Sequence, residues 1–430
     1  MNLVVKLIFV FLLIQQVACR APELNNPNDP KSGAFLQQSF IQFYLRSLKE
    51  TYLPDSLAIL RSGSGLSSGV RIYSVDAEYG PSSDAYVERM APFSYAGFPG
   101  NAPARLLVPP KSRKIIFAPG DNGSLVSLEY TDSKAIEIRN TFLYGNLPSP
   151  YVQRIASTPT DVFYTLNTSS NTLQRWSLNS ETGALALKNS GNYPFGVACS
   201  PLSLRYDRKN ESIAVLTGYA GTRGISFLKS QGDSLIPISP NFDFGTLTSN
   251  DNLCIHPERN FFYSTISTFP NTIKAFQYSM DGAITEVSGS PFAPDTTASG
   301  LATGLQMTTN MVIDPDGKYL AIAYVAGSNR YLSLLAINRE TGALSETGSK
   351  YSVGNSPSNL HWDKSGQFIY LTSDTGGSTN NYQLEYFKVM SDGSITRGVN
   401  SPITINPMSP AIGIANIESI NPNFYLRYAP

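Results

Sequence analysis

Six polar residues form a candidate binding constellation. Arg105, Arg154, Arg205, Asn252, Asn310 and Asn359 fall at matched or neighbouring places in successive, similar stretches of the chain. If those stretches are the inner strands of one ring, their entry ends face a common mouth. Guanidinium and carboxamide groups converging there can bind an anion or polarise a carbonyl oxygen, because both present N–H donors in a fixed plane. The competing role is structural. Buried polar groups must find hydrogen bonds, and Arg and Asn also cap loops and tie backbone between sheets.

Other chemistries have less support. His256 and His361 are the only histidines, and they share no motif. That pattern implies no metal site. His256 takes the place that Asp314 holds in the next stretch, so it reads as a turn residue. No Gly-x-Ser-x-Gly elbow is present, and no Cys has an evident His partner. The runs Ser62-Gly63-Ser64-Gly65 and Gly376-Gly377-Ser378 lack the trailing Lys of a phosphate loop and read as hairpin loops. No cofactor motif occurs.

The elements that must position the six residues repeat. Third strands are expected at Val70 to Val75, Leu125 to Tyr130, Leu173 to Leu178, Ile225 to Leu228, Ile273 to Tyr278, Leu332 to Ile337 and Gln383 to Val389. Second strands centre on Phe117, Tyr164, Val215, Tyr263, Ala321 and Tyr370. Asp314-Pro315-Asp316-Gly317 is a turn between the first two strands of its unit. Glu181-Thr182-Gly183-Ala184-Leu185 and Glu340-Thr341-Gly342-Ala343-Leu344 are turns in which Gly supplies a positive φ. A Pro follows the fourth strand, as in Ser290-Pro291-Phe292 and Ser401-Pro402, where it cannot continue a ladder. Units of roughly 50 residues with four antiparallel strands are propeller blades, and one such sheet cannot bury both its faces. The fold class is therefore all-β. It is a seven-bladed β-propeller of four-stranded antiparallel blades, closed by N- and C-terminal strands, with a short N-terminal helix. The closing blade takes its inner strand from Ile412 to Ile417. Its second strand is either Leu57 to Leu60 or Phe424 to Tyr428.

The ends and the charge bound the setting. Residues 1–18 read as a secretory signal, with Lys6 ahead of a short apolar run. That run ends in Gln16-Val17-Ala18-Cys19, which resembles a bacterial lipobox; Cys19 is then the lipidation site, and the alternative is ordinary cleavage after Ala18. Residues 19–54 read as a Pro- and Asn-rich tether followed by a helix over Phe35 to Tyr52, and 55–430 as the propeller. The expected location is the bacterial cell envelope, exported and lipid-anchored. Lys and Arg total 32, as do Asp and Glu, so no basic surplus points to nucleic acid. The expected chain is a monomer. Cys199 and Cys254 are either a disulfide, which export permits, or buried free thiols.

The phrases Asp314-Pro315-Asp316-Gly317-Lys318-Tyr319 and Glu340-Thr341-Gly342-Ala343-Leu344 resemble those of the seven-bladed β-propeller lactonase family, which is similar to YVTN-type propellers. The resemblance spans about residues 66 to 428 and is strongest from Leu247 onward. It implies a propeller and, in some members, 6-phosphogluconolactonase activity with Arg, His and Glu at the channel mouth. Two functions are in view. One is an exported binding module that takes a protein, a glycan or a small anion at its mouth or on loops such as Asn241 to Asn252 and Pro294 to Gln306. The other is a lactone hydrolase in which Arg105, Arg154 and Arg205 polarise the carbonyl and water attacks. A structural envelope role is a third reading.

Overall fold

The computed structural model describes most of residues 52–420. The longer stretches outside it are 62–68, 91–105, 144–154, 244–252, 302–310 and 375–381, with everything before 52 and after 420. The expected helix therefore lies outside the described residues, except that Tyr52 opens a strand, Tyr52–Arg61.

Seven antiparallel sheets follow one another along the chain as the blades of a propeller. Blades one to six take residues 107–143, 155–194, 199–243, 253–292, 300–352 and 355–406. Each expected third strand is present, extended by a residue or more, as in Ser124–Tyr130, Thr222–Gln231 and Asn329–Ile337. Among the described residues the first blade's inner strand shows a bridge between Leu107 and Phe117.

The seventh blade closes the ring and resolves the choice left open above. Ala411–Ile420 pairs with Tyr52–Arg61, which pairs in turn with Gly69–Asp76. Leu57 to Leu60 thus lie in the second strand, one strand comes from the far end of the chain, and neither ring edge stays open. Residues 424–428 lie outside the described residues.

The core sits in the seams rather than at the centre. Six apolar clusters fill the spaces between consecutive blades from the first to the seventh. Ala214, Ile225, Phe262 and Phe276 close the third seam, and Tyr263, Ile273, Leu320 and Tyr324 the fourth. Strand alternation explains this. Successive side chains point to opposite faces, and every blade has a neighbour on both. Turn glycines complete the seams. Gly342 (φ +75°) leaves no room for a Cβ, which would lie 2.6 Å from Phe261 of the preceding blade, and Gly393 stands likewise against Tyr319.

The Ser-Pro pairs have a role beyond ending a strand. The fourth strand is split. In blade six Ile395–Arg397 pairs with one end of Tyr382–Val389, and Ile403–Asn406 returns to pair with the other. Between them Tyr386 N–H has no ladder partner and donates to Ser401 Oγ at 3.1 Å. In blade four Ala275 N–H donates to Ser290 Oγ at 3.1 Å. The serine fills the gap that the kink opens. Ser401→Ala should therefore cost about 1–3 kcal/mol, the penalty for an unpaired buried N–H, read from urea unfolding; a loss under about 0.5 kcal/mol, the size of an ordinary surface substitution, would sink this account.

Candidate functional site at the inner-strand bulges

The inner strands of neighbouring blades lie side by side, from Ile155–Ser157 through Cys199–Asp207, Leu253–Ile255 and Met311–Ile313 to Asn355–Trp362. Each ends at a turn acceptor. Asp314 takes N–H bonds from Asp316, Lys318 and Tyr319, Asp207 from Lys209 and Asn210, and Asp363 from Phe368. Burial pushes the Asp314 carboxyl up from its ordinary value and that of Asp363 to about 6, against the turn N–H bonds that favour the anion. His256 fills the same place in blade four, where Nδ1 accepts from Glu258 and Arg259 N–H. It is the turn residue that its alignment with Asp314 implies.

Counting back from these acceptors aligns the candidates. Asn252, Asn310 and Asn359 each stand four residues ahead of their acceptor, as Ser203 does ahead of Asp207. Arg205 stands two places further along its strand, at the register of Cys254 and His361. The pairings of Arg205 with Ala214, Cys254 with Tyr263 and His361 with Tyr370 show this.

Two inner strands depart from regular pairing at one level, just ahead of the aligned polar position. In blade three the register slips by one residue between Pro201 and Ser203. In blade six it slips by two between Asn355 and Asn359. In blade five Leu301 pairs with Tyr324 and Met311 with Ile322, and residues 302–310 between them lie outside the described residues. Bulges re-aim side chains and gather at active sites. Two at one level mark this part of the ring as the candidate site. Gly300–Leu301 also shows that the expected loop Pro294 to Gln306 contains a strand segment.

Of the six candidates the structure describes two. Arg205 is half-buried on the inner strand of blade three. Its Nη1 donates to Leu204 O at 2.8 Å and Ser203 Oγ at 3.2 Å, and among the described residues no carboxylate pairs with it. Burial lowers its pKa, and the nearby Cys254 opposes that. Asn359 is buried, and its Nδ2 and backbone N–H both donate to Thr372 Oγ1, at 3.4 and 3.2 Å. These two candidates lie on blades three and six, and no contact joins them. Arg105, Arg154, Asn252 and Asn310 lie outside the described residues, as does Cys19. Cys254 is a free, buried thiol that donates to Met311 O at 3.0 Å, so the free-thiol alternative holds for it. Among the described residues no three His, Cys, Asp or Glu side chains gather to hold a metal.

Sequence reasoning missed a carboxylate behind the site. Glu385, on the third strand of blade six, is fully buried. Its Oε1 accepts from Gly354 N–H at 2.7 Å, Ser373 Oγ at 2.8 Å and Gln383 Nε2 at 3.4 Å, and Oε2 accepts from Arg397 Nη2 at 2.7 Å. Gly354 immediately precedes the bulged inner strand, so this network fixes the point where the chain enters the site. The visible signal is Gln383-x-Glu385, two polar groups on one strand face in line with buried Phe387.

Residues 227–397 match the model of the family described as Lactonase, 7-bladed beta-propeller. No curated protein matches the chain in sequence. Among solved structures it is similar to a 6-phosphogluconolactonase candidate from Bacteroides uniformis, at 17% identity over 86% of this chain and 100% of that one, with a TM-score of 0.60. A second such candidate, from Bacteroides fragilis, is 16% identical over 86% and 98%, also at 0.60. The periplasmic gluconolactonase of Pseudomonas aeruginosa is 15% identical over 86% and 99%, at 0.57. The chain is thus a seven-bladed β-propeller whose residues 227–397 carry the sequence pattern of the lactonase propeller family.

Proposed function

We propose that this protein is a lactone hydrolase of the 6-phosphogluconolactonase type, working at the mouth of its ring. The observation that carries the reading is the match of residues 227–397 to the lactonase family. The bulges at one level of two inner strands support it, as does an arginine whose hydrogen bonds among the described residues go to neutral oxygens.

In this mechanism Arg205 donates to the lactone carbonyl oxygen and stabilises the negative charge that develops as water adds. A guanidinium drawn out of water is well suited to that task. Arg105 and Arg154 are assigned to the same mouth, and Asn252, Asn310 and Asn359 line it as binding groups. Water attacks the carbonyl carbon, and its proton passes through solvent to the ring oxygen as the C–O bond breaks. The product is the open hydroxy acid. Export and lipid attachment at Cys19 place this activity in the cell envelope, and the protein acts as a monomer.

The test is hydrolysis of a lactone panel that includes 6-phosphogluconolactone and gluconolactone, corrected for spontaneous opening. Arg205→Ala should lower kcat/KM by about 10²–10³, the usual loss on removing an oxyanion donor, with the unfolding midpoint unchanged. Rates equal to background across the panel would end the hydrolase reading. Its replacement would be a module that binds a protein, glycan or small anion at the same mouth.

A further inference from the structure

Among the described residues His256 differs in kind from the turn acceptors of blades three, five and six. In blades three, five and six a carboxyl group, that of Asp207, Asp314 or Asp363, accepts the turn N–H bonds, whereas blade four uses an imidazole. Its Nδ1 receives Glu258 N–H at 3.1 Å and Arg259 N–H at 3.0 Å. A nitrogen that accepts twice carries no proton, so the hydrogen is on Nε2, which donates across the seam to Gly317 O of blade five at 2.9 Å. The ring is buried, and Gly317 lies so close over it that a Cβ there would stand 2.2 Å from Cε1. One neutral tautomer satisfies all three bonds, and the imidazolium cannot.

We propose that His256 is a proton-operated latch on the seam between the fourth and fifth blades. Neutral, it holds its own turn and the turn of the next blade together. Protonated at Nδ1, it sets an N–H against two backbone N–H groups, loses both bonds, and must leave its place under Gly317.

The surrounding charges do not rescue the cation. From its own turn Glu258 and Arg259 face it. From blade five come Arg339 and Glu340 on one turn, and Asp314, Asp316 and Lys318 on the other. Glu258 is held by Arg339, Glu340 by Arg259 at 3.2 Å, and Asp316 by Lys318 at 3.4 Å, while Asp314 is engaged by its own turn. Burial accordingly holds the His256 pKa below its ordinary value, Arg339 and Arg259 adding to that and Gly317 and Glu258 opposing it. A group with a depressed folded pKa contributes stability that is complete above about 6.5, the unfolded value, and is lost as pH falls from there towards the folded value. The raised carboxyls of Asp314 and Asp363 work in the opposite sense, favouring the fold as pH falls through their own range. Global unfolding would mix these effects, so the latch must be read locally.

The experiment is amide hydrogen exchange on the full chain between pH 7.5 and 5.5, corrected for intrinsic rates, with His256→Asn beside it. Asn accepts the turn N–H bonds and does not titrate. Wild-type opening around residues 256–261 and 314–319 should rise over that range by up to about tenfold, the limit set by one proton linked to opening, and the Asn variant should stay flat. Equal responses would overturn the latch. Should the Asn variant fail to fold, ring proton NMR of His361→Gln decides, because it leaves one histidine. A pKa below about 6.5 with Nε2 protonated supports the proposal, and an ordinary or higher value ends it.

Discussion

Gly342→Ala should lower stability by about 3–4 kcal/mol, while Gly348→Ala, six residues further along the same blade, should cost only about 1 kcal/mol. Both glycines have positive φ, +75° and +81°, so both substitutions carry the same backbone strain. Only Gly342 faces a neighbouring blade. Its Cβ would stand 2.6 Å from Phe261 Cδ1, whereas nothing lies within 4 Å of a Cβ on Gly348. Phe261 is buried in the same seam cluster as Tyr263, whose hydroxyl donates to Gly342 O at 3.0 Å. The turn therefore cannot retreat without losing that bond. The difference between the two unfolding free energies isolates the seam contact. Equal losses would mean that the seam yields at no cost.

Arg397→Ala is expected to cost about 2–3 kcal/mol. The substitution leaves Glu385, whose side chain is 1% exposed, without its cation, and stranding a buried charge is what makes such losses large. Arg397 itself is 36% exposed, so water reaches its vacated place and holds the figure below that for a fully buried pair. Arg397 also donates to Ser352 O at 2.6 Å and lies over the Phe387 ring at 5.7 Å. Adding Glu385→Gln should recover part of the loss, because the amide oxygen still accepts from Gly354 and Ser373 and no charge remains. A double variant less stable than Arg397→Ala alone would show that the carboxylate, not its stranding, matters. Since Gly354 leads into the bulged strand, the single variant should also weaken any activity at the mouth.

The repeat made the strands, the glycine turns and the ring readable from residue types, because a period-two apolar pattern and a turn glycine act locally. His256 was readable as a turn residue for the same reason: it stands where Asp314 stands. The split fourth strand was only half visible. Ser-Pro announces the kink, but the serine's bond to Tyr386 N–H depends on a strand fifteen residues earlier. The bulges were not visible at all, since an extra residue in an inner strand shows only against its partner's register. Glu385 was hidden because a lone carboxylate on an alternating strand reads as solvent-facing until Gly354 and Arg397 are folded onto it. Arg205 was readable as a polar inner-strand residue, but not its position two places from the aligned Asn register.

The closing blade has a consequence for how the molecule is made. Its inner strand and its second strand are 350 residues apart, from Arg61 to Ala411. Pairings of such long range form slowly, because the chain between them must be ordered first. Until Ala411–Ile420 pairs, Tyr52–Arg61 keeps one edge bare and the other blades form an open arc. A chain lacking Ala411–Ile420 leaves that arc with two unpaired ends, the kind of edge that recruits strands from other chains. Docking of the last described strand is thus the step that turns an adhesive intermediate into a closed ring.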